Sequence, residues 1–342
     1  MSFGILPAIA ALLPILAYLG ILQIYDAFSM TRWRKLASHA LWGAAVTIIT
    51  YTLVILWRYF HDGQPWTGLL PSILIEEFLK ALVLVILVSR RQIAFLAEAQ
   101  IYGQAVGAGF AFVENILYLT HFPDIGIGTA IVRGMGTSML HMGCTSTVVS
   151  LWLLMPWNKE SQQYNIRWNY IFGTLLFIPS IAIHYVYNMW LFSPPTQLLC
   201  VIIIFLLIYS IVGIINERLT LRWLDLSIQT DIVLLQAIQE GRLCDTNSGK
   251  YLENIRERFE PLVFFDMCVY VQLYIEMLIA GKSRLMLRDA GLQVEMSQEE
   301  KTAHTAKLAE LHAISARIPR VGHYLLRPIL HTSVKNRWAM EH

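Results

Sequence analysis

The sequence predicts an all-α fold: a polytopic membrane helical bundle of about seven spans (residues 1–216), followed by a helical cytosolic domain (217–342). Three observations carry that reading. Of 342 residues, 56% are hydrophobic and only 15% charged, against roughly a quarter charged in an ordinary soluble domain. Apolar runs of about 20 residues, the length that crosses roughly 30 Å of hydrocarbon, recur through the first 216 positions. Charge is also segregated: residues 1–216 hold ten basic and eight acidic side chains, the last 126 hold sixteen of each. A net charge of +2 says nothing about nucleic acid, but the sequence lacks the basic-aromatic face such binding needs, so no nucleic acid partner is expected.

The first run, 4–24, contains Pro7 and Pro14 and has no basic residue before it, so it reads as a span rather than a cleaved signal. The second, 39–60, lies between His39 and His61, read as solvated with His121, and Arg58 near its end can snorkel to headgroups. The third, 68–88, holds Glu76, Glu77 and Lys80 in apolar surroundings. A charge buried there costs several kcal/mol unless it is paired or used, which marks a functional site.

The fourth run, 100–120, has small residues at Gly103, Gly107 and Gly109, then Phe110, read as packing, and Glu114 one turn on. The fifth, 129–155, opens with Arg133, assigned to the headgroup interface. It then offers Gly134, Gly136, Ser138 and Gly143 as a close-packing face around His141. His184 and Asn188 share one face of the sixth, 169–191, and the apolar run 197–216 completes the set.

Beyond Glu217 the run Phe259–Ala280 is interrupted by Glu260, Pro261, Asp266 and Glu276, so it suits a buried amphipathic helix or hairpin. Gly241, Asn247-Ser248-Gly249 and Gly281 read as turns. Cys144, Cys200, Cys244 and Cys268 have no CxxC spacing and read as apolar packing.

Loop charge supplies an orientation. Arg32, Arg34, Lys35, Arg90, Arg91, Lys159 and Arg167 fall in alternate loops, while 61–67, 121–128 and 192–196 carry no Lys or Arg. The positive-inside rule then places the chain in the cell membrane with its N-terminus outside and its C-terminus in the cytoplasm. With about 1.5 Å of rise per residue, Glu76, Glu77 and His184 lie roughly 12 Å, Glu114 roughly 9 Å and Asn188 roughly 6 Å below the outer hydrocarbon surface, with His141 deeper at roughly 18 Å. Helices far apart in sequence thus bring polar groups to neighbouring levels.

Carboxylates crowded together out of water share protons, so one residue type supplies both a general base and a general acid. A glutamate can deprotonate water, a histidine can stabilise the oxyanion or protonate the leaving amine, and Asn188 can orient His184. Lys80, one turn from Glu76, is read as its counter-charge, which leaves Glu77 as the base. Two histidines with two or three glutamates also suit zinc, although the spacing is not HExxH. Buried Glu, Lys and His equally serve ion- or proton-coupled transporters and channels.

Glu76-Glu77-x-x-Lys80, Phe110-x-x-x-Glu114 and His184-x-x-x-Asn188, in that order, resemble the PrsW family of intramembrane proteases, within the superfamily of the CAAX prenyl proteases. The resemblance covers roughly residues 68–192. It implies an endopeptidase that cleaves a single-span membrane protein, such as an anti-sigma factor, near its extracytoplasmic side. Glu76 and Glu77 match the paired glutamates, Glu114 the third carboxylate, His184 the third-motif histidine, and His141 a further polar position. Asn188 stands where the bacterial type member has Asp, which removes one carboxylate from any metal set. Lys80 and Glu114 differ from the Arg and His of CAAX-type enzymes and favour PrsW. No cofactor is expected, with zinc as the alternative. A cytosolic partner for the tail, and a silent relative that binds membrane proteins through the same pocket, complete the expectations.

Overall fold

The computed structural model describes residues 4–24, 33–61, 69–90, 92–154, 175–189, 191–292, 296–330 and 333–341. Helix makes up 89% of it, and no strand occurs among the described residues. Arg32, Arg91, Lys159, Arg167 and the start of the sixth expected span lie outside the described residues.

In the first 216 residues the elements are α1 (Ile5–Ile24), α2 (Trp33–His61), α3 (Leu69–Ser89), α4 (Leu96–His121) and α5 (Ile127–Val132). A π-helical turn, Arg133–Thr137, leads into α6 (Ser138–Leu154), followed by α7 (Ile178–Asn188) and the long α8 (Pro194–Gln239). The fifth expected span is therefore two helices joined by a π-turn. Helix α8 continues past the expected end at 216 because Glu217 and Arg218 are good helix formers and neither proline nor a turn glycine intervenes before Gly241. Gly241, at φ +69°, follows its end.

Helix α4 is the axis of this part, packed between α2 and α6. Its glycines permit the approach: a Cβ on Gly107 would stand 2.5 Å from the His141 carbonyl oxygen on α6. On the other side a Cβ on Gly43 of α2 would stand 2.0 Å from the Val106 carbonyl oxygen. Thr47 then donates across the α2–α4 contact to the Phe110 carbonyl at 3.2 Å. Apolar residues on the outer faces of α1, α2 and α8, among them Ile5, Leu41, Ile49 and Leu207, are exposed, as lipid-facing surface should be.

Four described helices are long and apolar enough to cross a membrane: α1 (over Ile5–Leu22), α2, α8 and α10 (Pro261–Asp289). Helix α3 falls outside that set because three ionisable side chains occupy its middle, and α6 because its regular part is 17 residues. The fourth, α10, lies in the stretch expected to be soluble; its apolar length is partly spent on internal packing, with Met267, Val271, Tyr274 and Leu278 buried.

Two compact units divide the chain, Met1–Asn216 and Glu217–His342. After α8 the second contains α9 (Asn247–Arg256), α10, α11 (Gln298–Arg317), α12 (Arg320–Leu330) and α13 (Val334–Glu341). Thr246 caps α9 by accepting from Gly249 N–H at 2.9 Å, and Ser297 with Glu300 forms a reciprocal cap on α11. Gly281 is not a turn. It sits inside α10, where its missing side chain admits the Ala339 carbonyl of α13. The Arg317 fork holds Asp266 through two bonds of 2.8 Å. All four cysteines are free.

Candidate active site

Helix α3 contributes two glutamates and a lysine to the interior of the first unit. Lys80 is 0% and Glu77 1% exposed, whereas Glu76 keeps 21% of its side-chain surface. Lys80 Nζ donates to Glu77 Oε1 at 2.6 Å. The expected Glu76–Lys80 pairing is thus corrected. The partner is one turn back at i−3 rather than i−4, because Lys80 points toward α6 and Glu77 lies on that side.

The ammonium also donates to His141 Nδ1 at 2.9 Å and stands 4.7 Å from the centre of the Phe110 ring. Phe110 is accordingly a wall of the charge cluster as well as packing. Since an ammonium can only donate, His141 Nδ1 accepts. Its Nε2–H is left to donate to Glu114 Oε2 at 2.6 Å. His184 Nδ1 donates in turn to Glu77 Oε1 at 2.7 Å. Its Nε2 keeps a lone pair, 3.8 Å from Glu76 Oε2.

Glu76, Glu77, Lys80, Glu114, His141 and His184 therefore meet in one chain, buried at Glu77, Lys80, His141 and His184 and partly open at Glu76 and Glu114. A hydrogen bond between α6 and α7 holds the histidines level. Ser180 Oγ, one turn before His184, donates to the Cys144 carbonyl at 3.0 Å, one turn after His141. The two imidazoles then stand edge to face, 5.1 Å apart.

Asn188 does not join. It ends α7, and no hydrogen bond ties it to the cluster among the described residues. The inward neighbour is Tyr187, whose hydroxyl lies 3.4 Å from Thr137 Oγ1 and against Gly136. In the sequence Tyr187 carries no signal of its own, because i, i+4 spacing from His184 leads to Asn188 and passes over it. The expected headgroup placement of Arg133 is corrected: its Nη2 donates to Glu114 Oε1 at 3.0 Å. The carboxylate draws it inward. Of the span-end histidines, His121 is exposed as expected, whereas His39 stacks on Tyr102 at 4.2 Å.

Ligand atoms of Glu76, His141 and His184 lie within 4.8 Å of one another, so these three can gather around a metal ion. The donor types suit zinc. His184 Nε2 and Glu76 are available as they stand, while His141 must release Lys80 or Glu114 to take part. Glu77 Oε2 is buried without a hydrogen-bond partner among the described residues, an acceptor open to one more donor.

No curated protein and no solved structure matches the chain. A family model does, over residues 31–214, just over half of the chain, and this stretch contains every group of the buried cluster. A match of that length, with the side chains that the packing brings together inside it, places this membrane protein in the PrsW family of intramembrane metalloproteases.

Proposed function

We propose that the chain hydrolyses a peptide bond of a membrane-anchored substrate with a water held between Glu76 and His184. The observation that carries this reading is the 3.8 Å separation of His184 Nε2 from Glu76 Oε2, beside an imidazole whose other nitrogen is fixed by Glu77. Two acceptors at that separation can each receive one hydrogen of a single water. Its lone pairs are left facing a scissile carbonyl.

Glu76 is the base. Among the described residues no lysine or arginine bonds it, and it is the more accessible glutamate, whereas Glu77 Oε1 already receives both Lys80 and His184. As the water oxygen bonds to the carbonyl carbon, one O–H bond breaks and the proton passes to Glu76. The C–N bond then breaks, and the amine leaves with that proton. Glu77 holds the His184 tautomer throughout, as the carboxylate does in a catalytic triad.

The family's description as metalloproteases supports a second reading, in which Glu76, His141 and His184 hold an ion that supplies a polarised water. Metal analysis of purified protein and activity after chelation separate the two readings. Glu76→Gln should lower cleavage of a single-span substrate in proteoliposomes by roughly a hundred- to ten-thousandfold at unchanged thermal stability. Cleavage at the wild-type rate would sink the assignment. Proton or ion flux without proteolysis would instead identify a transporter.

Loop charge supports seven spans with the N-terminus outside, the 217–342 unit in the cytoplasm, and the site in the outer half of the bilayer. A single-span protein such as an anti-sigma factor, cut near its extracytoplasmic side, suits that placement. Labelling of single introduced cysteines in the loops from either face of the membrane tests it.

A further inference from the structure

The mechanism above gives no part to Arg133, and the structure builds unusual backbone to put it where it is. Arg133 opens the π-helical turn Arg133–Thr137, in which Ser138 N–H reaches back to the Arg133 carbonyl. Eight residues of regular α-helix would set Arg133 and His141 roughly 80° apart around the axis. A π-turn absorbs one residue, so the spacing becomes that of two turns and the offset shrinks to about 20°. Both side chains then reach the same carboxylate, Arg133 taking Glu114 Oε1 at 3.0 Å and His141 taking Oε2 at 2.6 Å.

The guanidinium is held on two further sides. Its Nε donates to Asn115 Oδ1 at 3.3 Å, and its plane lies 3.9 Å from the centre of the Tyr118 ring. Asn115 is itself anchored, donating from Nδ2 to the Ala11 carbonyl of α1 at 3.0 Å. Arg133 is 12% and Glu114 34% exposed, so the pair sits partly buried at the edge of the cluster.

We propose that Arg133 is a positioning residue that acts on the reacting groups through Glu114. By fixing Glu114, it holds His141 with Nε2–H toward that carboxylate and Nδ1 toward Lys80. Lys80 in turn holds Glu77, and Glu77 holds His184 in the tautomer that faces the water. The π-turn is the backbone device that aligns the first two members of this chain. The inference rests on the reading that Glu76 and His184 activate the water.

Because Arg133 does not reach the gap between Glu76 and His184, its loss should act on kcat and spare KM. Arg133→Ala is expected to lower kcat roughly ten- to hundredfold, as loss of a partner that orients a reacting group does. In a Glu114→Gln background the same change should add less than about twofold, since the carboxylate through which it acts is already gone. Guanidinium ion, small enough for the vacated space, should restore kcat to Arg133→Ala and leave Glu114→Gln unchanged. Arg133→Met, which keeps bulk against Tyr118, replaces the alanine variant where that fails to fold.

Losses that multiply in the double variant, a change confined to KM, or wild-type kcat in Arg133→Ala would each overturn the inference. Glu76→Gln in the same preparation separates it from its premise. Activity retained there sinks the water-activation reading itself, whereas an inactive Glu76→Gln beside a fully active Arg133→Ala sinks only the part given to Arg133.

Discussion

Glu76 and Glu77 are adjacent in sequence and differ in what reaches them. The roughly 100° between neighbours on a helix turns Glu77 toward Lys80 and His184 and leaves Glu76 at the edge of the pocket. The Lys80–Glu77 pair is fully buried, so its two halves depend on each other: removing one partner of such a pair strands the other charge at a cost of about 3–5 kcal/mol. Lys80→Met should therefore lower the thermal midpoint in detergent sharply. The double variant Lys80→Met/Glu77→Gln should recover much of that loss while remaining inactive. A double variant no more stable than the single one would show that the pair is not the source of the effect. The ionisable residues of α3 were legible because charge in an apolar run stands out. Which glutamate the lysine chooses was not, since i+3 and i+4 are both within its reach.

At the scale of elements, glycine placement decides which helices touch. Gly107→Ala puts a methyl where the His141 carbonyl oxygen would be 2.5 Å away, so α4 and α6 must separate under the cluster. A loss of about 1–3 kcal/mol is expected from such overpacking, with a fall in kcat because His141 moves with its backbone. Gly213 on α8 meets nothing within 4 Å, and Gly213→Ala should gain about 0.5–1 kcal/mol from helix propensity. Thermal melts of the two variants give opposite signs if packing rather than propensity governs Gly107. The small-residue faces of α4 and α6 were visible in the sequence. The π-turn was not: it requires no particular residue, and only the shared grip of Arg133 and His141 on Glu114 reveals its use.

At the scale of the whole molecule, the two compact units place their charges differently. In the first, six ionisable side chains from four helices meet in one cluster. In the second, Lys335 on α13 is largely withdrawn from water, and burial pushes its ammonium down to about 8 from the usual 10.5. A lysine with a depressed folded value costs stability in full below about pH 8, and the cost fades as pH rises toward 10.5, where the unfolded chain also loses its proton. Lys335→Met should then protect the α13 amides of the full chain from hydrogen exchange by about 2–3 kcal/mol more at pH 7. The gain should vanish near pH 10.5. An equal gain at both pH values would assign the effect to packing.

The sequence alone determined the all-helical class, the membrane character and the six ionisable residues that meet in the interior. Those follow from composition, period and the rarity of charge in apolar runs, all of which are local properties. The tertiary structure decided the pairing within the cluster, the exclusion of Asn188, the inward turn of Arg133 and the choice of Glu76 over Glu77 as the accessible carboxylate. These depend on how helices rotate and approach one another, which side chains on several elements settle together. A hydrogen bond made or missed across about an ångström decides each of them.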